Sequence, residues 1–112
     1  DLNGSYLEES KLPGAFICRP VIHGSEVYLA TIWSGNGGAD SGFVSILNSD
    51  NKMISAPGGI SPTYNNEGEL QKMRQGIKVF KHPHDVCVDK DDNLYITQWN
   101  AGQTYPIKLI RV

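Results

Sequence analysis

The stretch that most constrains this chain is Asp85–Trp99, "DVCVDKDDNLYITQW", in which two alternating segments flank a polar turn. Val86 and Val88 recur with a period of two, and "LYITQW" is rich in β-branched and aromatic residues. Both features are typical of strands with one buried face. After the turn residues Asn100–Gln103, the segment Tyr105–Val112 alternates again. The pattern predicts a three-stranded antiparallel meander.

The first half of the chain repeats this plan. Four strands are expected there, at Phe16–Ile22, Glu26–Trp33, Phe43–Leu47 and Met53–Ala56. The turn residues His23–Ser25, a Gly-rich loop and the turn Ser49–Lys52 would join them. "EVYLATIW" matches "NLYITQW" at an offset of 67 over Val27–Leu29, and at 66 for Thr31 and Trp33. An internal repeat of this kind indicates two equivalent structural units.

The predicted fold class is all-β, because 12 Gly and 6 Pro leave little room for long helices. Repeated four-stranded meanders are typical of β-propeller blades, which bury their faces against neighbouring blades. A small β-sandwich built from the two meanders is the alternative. Residues 15–56 would form blade one and residues 80–112 blade two, with 1–12 (containing "SYLEE") as a candidate closing strand. Residues 57–79 would connect the blades as a loop with a short helical turn at "EGELQKMRQ".

Composition excludes some partners. The net charge of −2, without a Lys/Arg cluster, argues against nucleic acid, and no apolar run approaches the ~20 residues that span a bilayer. Cys18 and Cys87 lie in apolar strand-like runs without a CxxC spacing, which favours packing as small hydrophobes over a disulfide or a thiolate metal site. The chain starts at Asp1 without a leader, which is typical of a processed chain or of a piece of a longer one.

The segment "HPHDVCVDKDDNLYITQWNAG" resembles an NHL repeat. That family's pattern has a Pro, a hydrophobic-x-hydrophobic-Asp strand, a turn, an aromatic strand and a polar turn. The matching residues are Pro83, His84, Val86, Val88, Asp89, Asp92, Asn93, Tyr95 and Asn100. The resemblance is close over the second unit and loose over residues 16–54. One departure is Asp92, where many repeats carry Gly; Asp also tolerates turn geometry. Another departure is the strand ending "TQW", where many NHL repeats carry an Asp-containing turn.

This resemblance implies a β-propeller, commonly six-bladed, in which the first strand of each blade lines a central channel. Some NHL proteins bind protein or RNA partners. One catalytic branch, the peptidyl-α-hydroxyglycine α-amidating lyases, is similar at the "PH" step, where the histidine after the proline is a zinc ligand contributed by each of several blades. By that match His84, rather than His82, would be the zinc ligand. The resemblance also favours a secreted or periplasmic protein.

The residues around "HPHD" suggest a ligand site at the channel mouth. His82 and His84 lie two apart on one strand and would share a face, although a zinc site needs three or four ligands. Asp85 could orient the ring of His84. Alignment of the two units places Cys18 opposite His84 and Arg19 opposite Asp85, so blade one lacks the histidine. We expect His84, Asp85 and Arg19 to bind the ligand. The simpler interpretation is that "HP" only starts a strand.

The remaining polar and aromatic motifs favour structural roles. Asp89–Asp92 lacks the spacing of a calcium loop and is interpreted as an acidic β-turn. Trp33 and Trp99 occupy equivalent strand ends, and packing between blades is favoured over a ligand platform. His23 is expected at an exposed turn.

Three functions follow as hypotheses: a non-catalytic propeller module that binds a partner or small ligand at the channel mouth; a metal-dependent lyase- or hydrolase-like enzyme with His84 on zinc; or a structural fragment of a larger propeller. Two blades would leave apolar outer faces and an open edge at the last strand. We therefore expect self-association, with a cyclic trimer that closes six blades favoured, or completion by the rest of a longer chain.

Overall fold

Two antiparallel sheets make up the fold in this computed structural model, which describes residues 1–34 and 42–112. The strands are β1 (Ala15–Ile17), β2 (Val21–His23), β3 (Glu26–Trp33), β4 (Phe43–Leu47), β5 (Met53–Ser55), β6 (Pro83–Val88), β7 (Leu94–Gln98) and β8 (Ile107–Leu109). These described residues contain no helix, hence none that could cross a membrane. The all-β class is confirmed. Most of the Gly-rich loop lies outside the described residues.

The first sheet is an antiparallel meander of four rows of strands. β1 and β2 lie end to end along β3 and together form the first row, and the pairing register slips by one residue between them. The predicted strand Phe16–Ile22 is therefore interrupted, and the break contains Pro20, which has no N–H to donate to the ladder. β3 and β4 have the predicted bounds, and β5 follows them.

The second sheet has the predicted order β6–β7–β8, with a bulge in β6 between Pro83 and Asp85. It has three strands and the first sheet five, so in the described residues no counterpart of β5 follows β8. Residues 1–12 form no strand within the chain. Their role as a closing strand, in another copy or a longer chain, stays a prediction.

The main core lies between the two sheets, which stack head to tail. Tyr28 of β3 is fully buried against the second sheet, which contributes Leu94 and Ile96 of β7 to the same cluster. Tyr95, the repeat partner of Tyr28, lies on the opposite, outer face of β7, because neighbouring residues of a strand point to opposite faces. The first sheet thus packs through the face that carries Tyr28, and the second sheet packs through the face opposite Tyr95, as in a stack of successive repeats.

A second core covers the outer face of the first sheet. Leu29, Phe43, Leu47 and Met53 of the sheet pack with Met73 of the connecting segment, residues 57–79. We call this segment the connector. Its predicted helical turn is wrong, because the connector folds back on itself in extended pairing with bridges between Gly59 and Gln75 and between Tyr64 and Leu70.

Three turns share one hydrogen-bonding pattern, at residues 48–52, 65–69 and 89–93. The first residue of each is Asn or Asp, and its side-chain oxygen accepts the backbone N–H groups of the third and fifth residues. The fourth residue is left-handed, with φ of 57° at Asn51, 78° at Gly68 and 61° at Asp92. Asp92 thus adopts a left-handed conformation that Gly adopts without steric cost.

The outer faces differ from those expected. Connector residues cover the first sheet, and the second sheet presents Cys87, Tyr95, Thr97 and Lys108, of which Lys108 lies 5.2 Å above the ring of Tyr95. Neither outer face is the broad apolar surface from which association into a trimer was predicted. The trimer itself stays a prediction.

Candidate functional site

Four rings form a row at the end of the sheets where β1 and β6 begin and β3 and β7 end. Phe16 meets Trp33 edge to face at 4.8 Å between centroids, Trp33 meets His82 at 6.0 Å, and His82 meets Trp99 at 5.7 Å. We call this set the aromatic row. Trp33 from the first sheet and Trp99 from the second thus contact one imidazole, and the Trp33–His82 contact lies between the two sheets.

Phe16 is held in an unfavourable backbone conformation. Its φ is 57°, in the left-handed region that glycine and asparagine adopt readily and a bulky side chain does not. Its side chain is also 65% exposed, so little burial offsets this strain. Strained, exposed residues cluster at binding sites.

His82 is the buried member of the row, with 6% of its surface exposed. Its Nδ1 donates to the carbonyl oxygen of Trp99 at 3.0 Å, and its own carbonyl accepts the N–H of Trp99 at 2.9 Å. In the neutral ring the other nitrogen, Nε2, is then an acceptor, and it has no partner. A buried acceptor without a donor is costly.

His84 has a different environment from His82, contrary to the expectation that the two rings share a face. Its side chain is exposed, whereas His82 precedes β6 and is buried. The bulge between Pro83 and Asp85 breaks the regular alternation on which that expectation rested. Within residues 1–34 and 42–112 no three His, Cys, Asp or Glu side chains could hold a metal ion together. A zinc ion on His84 stays a prediction.

Arg19 and Asp85 are brought together as an ion pair, with Nη2 to Oδ2 at 2.9 Å. Arg19 lies in the break between β1 and β2, and Asp85 lies in β6, so the pair joins the first rows of both sheets. Partial burial, and then the charge of Asp85, raise the pKa of the Cys18 thiol. A raised pKa keeps this thiol protonated and weakly nucleophilic.

The opposite end of the sheets carries a partly buried polar cluster. Arg111 donates to both carboxylate oxygens of Glu26, at 2.8 and 3.1 Å, and to the hydroxyl of Tyr28 at 3.1 Å; that hydroxyl also donates to Glu26. The bonds from Arg111 and Tyr28 lower the pKa of Glu26, and burial with the bond to Glu26 raises that of Tyr28 to about 12. His23, expected to be exposed, is half-buried and 2.9 Å from Asp92.

The acidic turn after β6 is a structural turn, as predicted. Asp89 accepts the N–H groups of Asp91 and Asn93, the side-chain amide of Asn93 and the hydroxyl of Tyr95. These bonds, led by the amide of Asn93, lower the pKa of Asp89 to about 2. Both carboxylate oxygens are therefore occupied by protein donors.

A groove of about 990 Å³ lies away from the residues predicted as a site. It runs between residues 8–14, the turn at 50–53 and the connector residues 60–74. Lys52, Lys72 and Glu69 on its walls carry charges of both signs. The strain at Phe16 and the orphan nitrogen of His82 make the aromatic row the better candidate.

Sequence reasoning missed Phe16 and set His82 aside. One signal was available, since the repeat already aligned Trp33 with Trp99. Comparisons with protein-family models, with curated proteins and with solved structures found no match to this chain. The function is therefore inferred from the geometry of the chain.

Proposed function

We propose that this chain is a β-propeller-type binding module without a complete catalytic set, and that a small ligand binds at the aromatic row. The observation that carries the proposal is Phe16, an exposed aromatic residue kept at a φ of 57°. A left-handed Phe costs about 1–2 kcal/mol over a residue suited to that region, and the ring stays mostly exposed although its edge-to-face contact with Trp33 offsets part of this cost. A contact outside the chain explains its presence.

The propeller geometry is supported by two relationships. The sheets stack head to tail, with Tyr28 inward and its partner Tyr95 outward. Arg19 and Asp85 form an ion pair between the first rows. Around a central axis the first strands of neighbouring blades come close, so this pair would lie at the channel mouth.

The chemistry of the row suggests the kind of ligand. Phe16 and Trp99 offer exposed ring surface, and Trp99 is 50% exposed. Nε2 of His82 lies in the same row without a hydrogen-bond partner, but it is buried, so a ligand at the surface would contact the exposed rings rather than this nitrogen. The Arg19–Asp85 pair adds both a donor and an acceptor at the surface. We propose a ring with a flat apolar face and several hydroxyl groups, such as a pyranose.

Intrinsic fluorescence tests this proposal, because both tryptophans of the chain belong to the row. Titration with a panel of neutral oligosaccharides should give a saturable change for at least one of them. Trp99→Ala and Phe16→Ala should each weaken that affinity at least tenfold. The matched control is Tyr105→Ala, which removes an exposed ring (91%) outside the row and should leave the affinity unchanged. No response to any saccharide, or equal loss in the control, would refute the proposal.

A further inference from the structure

We infer that Asn3 is the acceptor of an N-linked oligosaccharide, and hence that this chain passes through a secretory compartment. The inference is independent of the ligand proposed for the aromatic row. It starts from the sequence Asn3-Gly4-Ser5, which has the Asn-x-Ser form that an oligosaccharide transferase recognises. No other asparagine of the chain has Ser or Thr two residues later.

A closed turn presents the Asn-x-Ser sequence at the surface. One carboxylate oxygen of Asp1 accepts the N–H of Asn3 at 3.0 Å and the N–H of Ser5 at 2.9 Å. The carbonyl of Asp1 accepts the N–H of Gly4 at 3.0 Å, and Gly4 is left-handed with a φ of 83°. Residues 1–5 thus repeat the pattern of the three turns described above, with Asp1 as the residue that forms the turn.

This turn leaves the side chains of Asn3 and Ser5 available. Both residues are exposed, and neither side chain forms a hydrogen bond within the part of the chain that the structure describes. Asn48 and Asn65, which form turns themselves, have their side-chain oxygens occupied by backbone N–H groups. A Cβ at Gly4 would meet nothing within 4 Å, so the surface around Asn3 has room for a bulky group.

The apolar neighbours of Asn3 favour a solubilising group at this place. Leu2, Tyr6 and Leu7 are exposed at 106%, 76% and 73%, and none of them belongs to either core. Exposed apolar side chains that lie close together promote association. An oligosaccharide is bulky and hydrophilic, and beside these residues it would keep the segment in solution.

The modification is a glycosyl transfer from a lipid-linked donor. Nδ2 of Asn3 loses a proton and bonds to the anomeric carbon of the first sugar, while the bond from that carbon to the diphosphate oxygen of the donor breaks. The lipid diphosphate is the leaving group, and no oxidant or reductant takes part. The hydroxyl of Ser5 belongs to the sequence that the transferase recognises, so its removal should prevent the transfer.

An oligosaccharide at Asn3 leaves the aromatic row open. Glu8 accepts the side-chain amide of Asn51, in the turn after β4, at 2.8 Å. Further along, a Cβ at Gly14 would lie 2.6 Å from the carbonyl oxygen of Trp33, at the end that carries the row. The leading segment therefore runs towards the row from the opposite end of the sheets, and Asn3 precedes it there. The modification and the ligand proposed above do not compete.

Translation of the full chain behind a secretory leader, in the presence of microsomal membranes, provides the first test. The wild type should gain a single step in mass above 12.3 kDa, which enzymatic cleavage of the sugar–asparagine bond reverses. Asn3→Gln and Ser5→Ala should both lack this step, whereas Ser5→Thr should keep it. The transfer acts on the entering chain, so the result does not depend on how well a variant folds. A wild type without the step, or a step that persists in Asn3→Gln, would overturn the inference.

Protein from its natural source decides whether the site is used. Trypsin should release a peptide that ends at Lys11 and carries the oligosaccharide on Asn3. Enzymatic release in water enriched in the heavy isotope of oxygen should leave a labelled carboxylate at this position. A sample without enzyme controls for spontaneous deamidation of the Asn-Gly bond. A peptide with an unmodified Asn3 would show that the site is not used and would overturn the inference.

Discussion

Arg111, which follows the last strand of the second sheet, binds both carboxylate oxygens of Glu26 in the first sheet. The planar guanidinium matches the carboxylate, and the same Nη1 reaches Tyr28. Because Glu26 is mostly buried and Arg111 is half-exposed, water screens this pair only in part.

Removal of the Arg111 pair should weaken the stack of the two sheets. We expect Arg111→Met to lower the free energy of unfolding by about 1 kcal/mol, at the upper end for partly exposed pairs. Arg111→Lys should recover less than half of this, because an ammonium cannot bind both oxygens in one plane. Arg19→Met, at the more exposed Arg19–Asp85 pair, should cost less. Urea unfolding measures all three, and an Arg19→Met loss larger than that of Arg111→Met would contradict this ranking.

Alkaline pH should destabilise the chain through Tyr28. Burial and the bond to Glu26 raise its pKa from the usual 10.0 to about 12, so the folded state holds the proton more tightly than the unfolded state. The resulting stability is present below pH 10 and is lost as the pH rises from about 10 to about 12. Tyr28→Phe should remove this part of the loss, whereas Tyr105→Phe should not. Unfolding midpoints across this range decide the matter; equal curves for wild type and Tyr28→Phe would contradict the assignment.

Acid pH should act through Asp89. Its pKa is lowered from 3.8 to about 2, so its contribution to stability is present above pH 3.8 and is lost as the pH falls towards 2. Asp89→Asn should reduce this acid dependence while keeping the turn, because Asn48 and Asn65 already serve in the equivalent turns. The reciprocal change, Asn48→Asp, should add acid dependence. Urea unfolding at a series of pH values tests both variants. A loss of stability at acid pH that is steeper in Asp89→Asn than in the wild type would contradict the prediction.

The left-handed turn positions should respond to substitution by backbone conformation alone. Gly68 has a φ of 78°, and an added Cβ would meet only the end of the Lys52 side chain at 3.8 Å. Gly68→Ala should therefore cost about 1–2 kcal/mol from conformation, without a clash. Asn51→Gly, at the equivalent position, should change the stability by less than this. Thermal unfolding of the two variants gives the comparison; a harmless Gly68→Ala would exclude the strain argument.

Replacement of Phe16 should separate stability from binding. Phe16→Asn relieves about 1–2 kcal/mol of left-handed strain and forfeits an aromatic contact worth about 0.5–1.5 kcal/mol. The net change should lie within about 1.5 kcal/mol, while saccharide affinity falls. Ile17→Asn, at the next and half-buried position, should destabilise more. A larger loss for Phe16→Asn than for Ile17→Asn in urea would indicate a structural role.

Local patterns predicted most of the fold. β3 and β4 have the predicted bounds because alternation and β-branched residues act within a strand. The interruption near Pro20 could have been expected from its missing N–H. The prediction of a helical turn in the connector was wrong. It relied on the helical spacing of Leu70 and Met73, but the turn at Asn65–Gly68, which the sequence analysis did not recognise, reverses the chain.

The site was less accessible to sequence reasoning. The Arg19–Asp85 pair joins the first rows of the two sheets, but the alignment of these two residues does not follow the strand registers: Asp85 pairs with Thr97, whereas Thr31, the repeat partner of Thr97, pairs with Ile17. The burial of His82 depends on Trp33 from the other sheet, which no local pattern encodes. The left-handed Phe16 also contradicts its own propensity, and sequence rules fail most often at strained positions of this kind.

Both tryptophans of the chain touch the same imidazole, so their emission samples one end of the molecule only. A melt followed by fluorescence would record the loss of contacts around His82 and miss an earlier opening at Glu26 and Arg111. Circular dichroism averages over both sheets. If the fluorescence and circular dichroism transitions coincide, unfolding is all-or-none. If they differ, the two ends of the stacked sheets open one after the other.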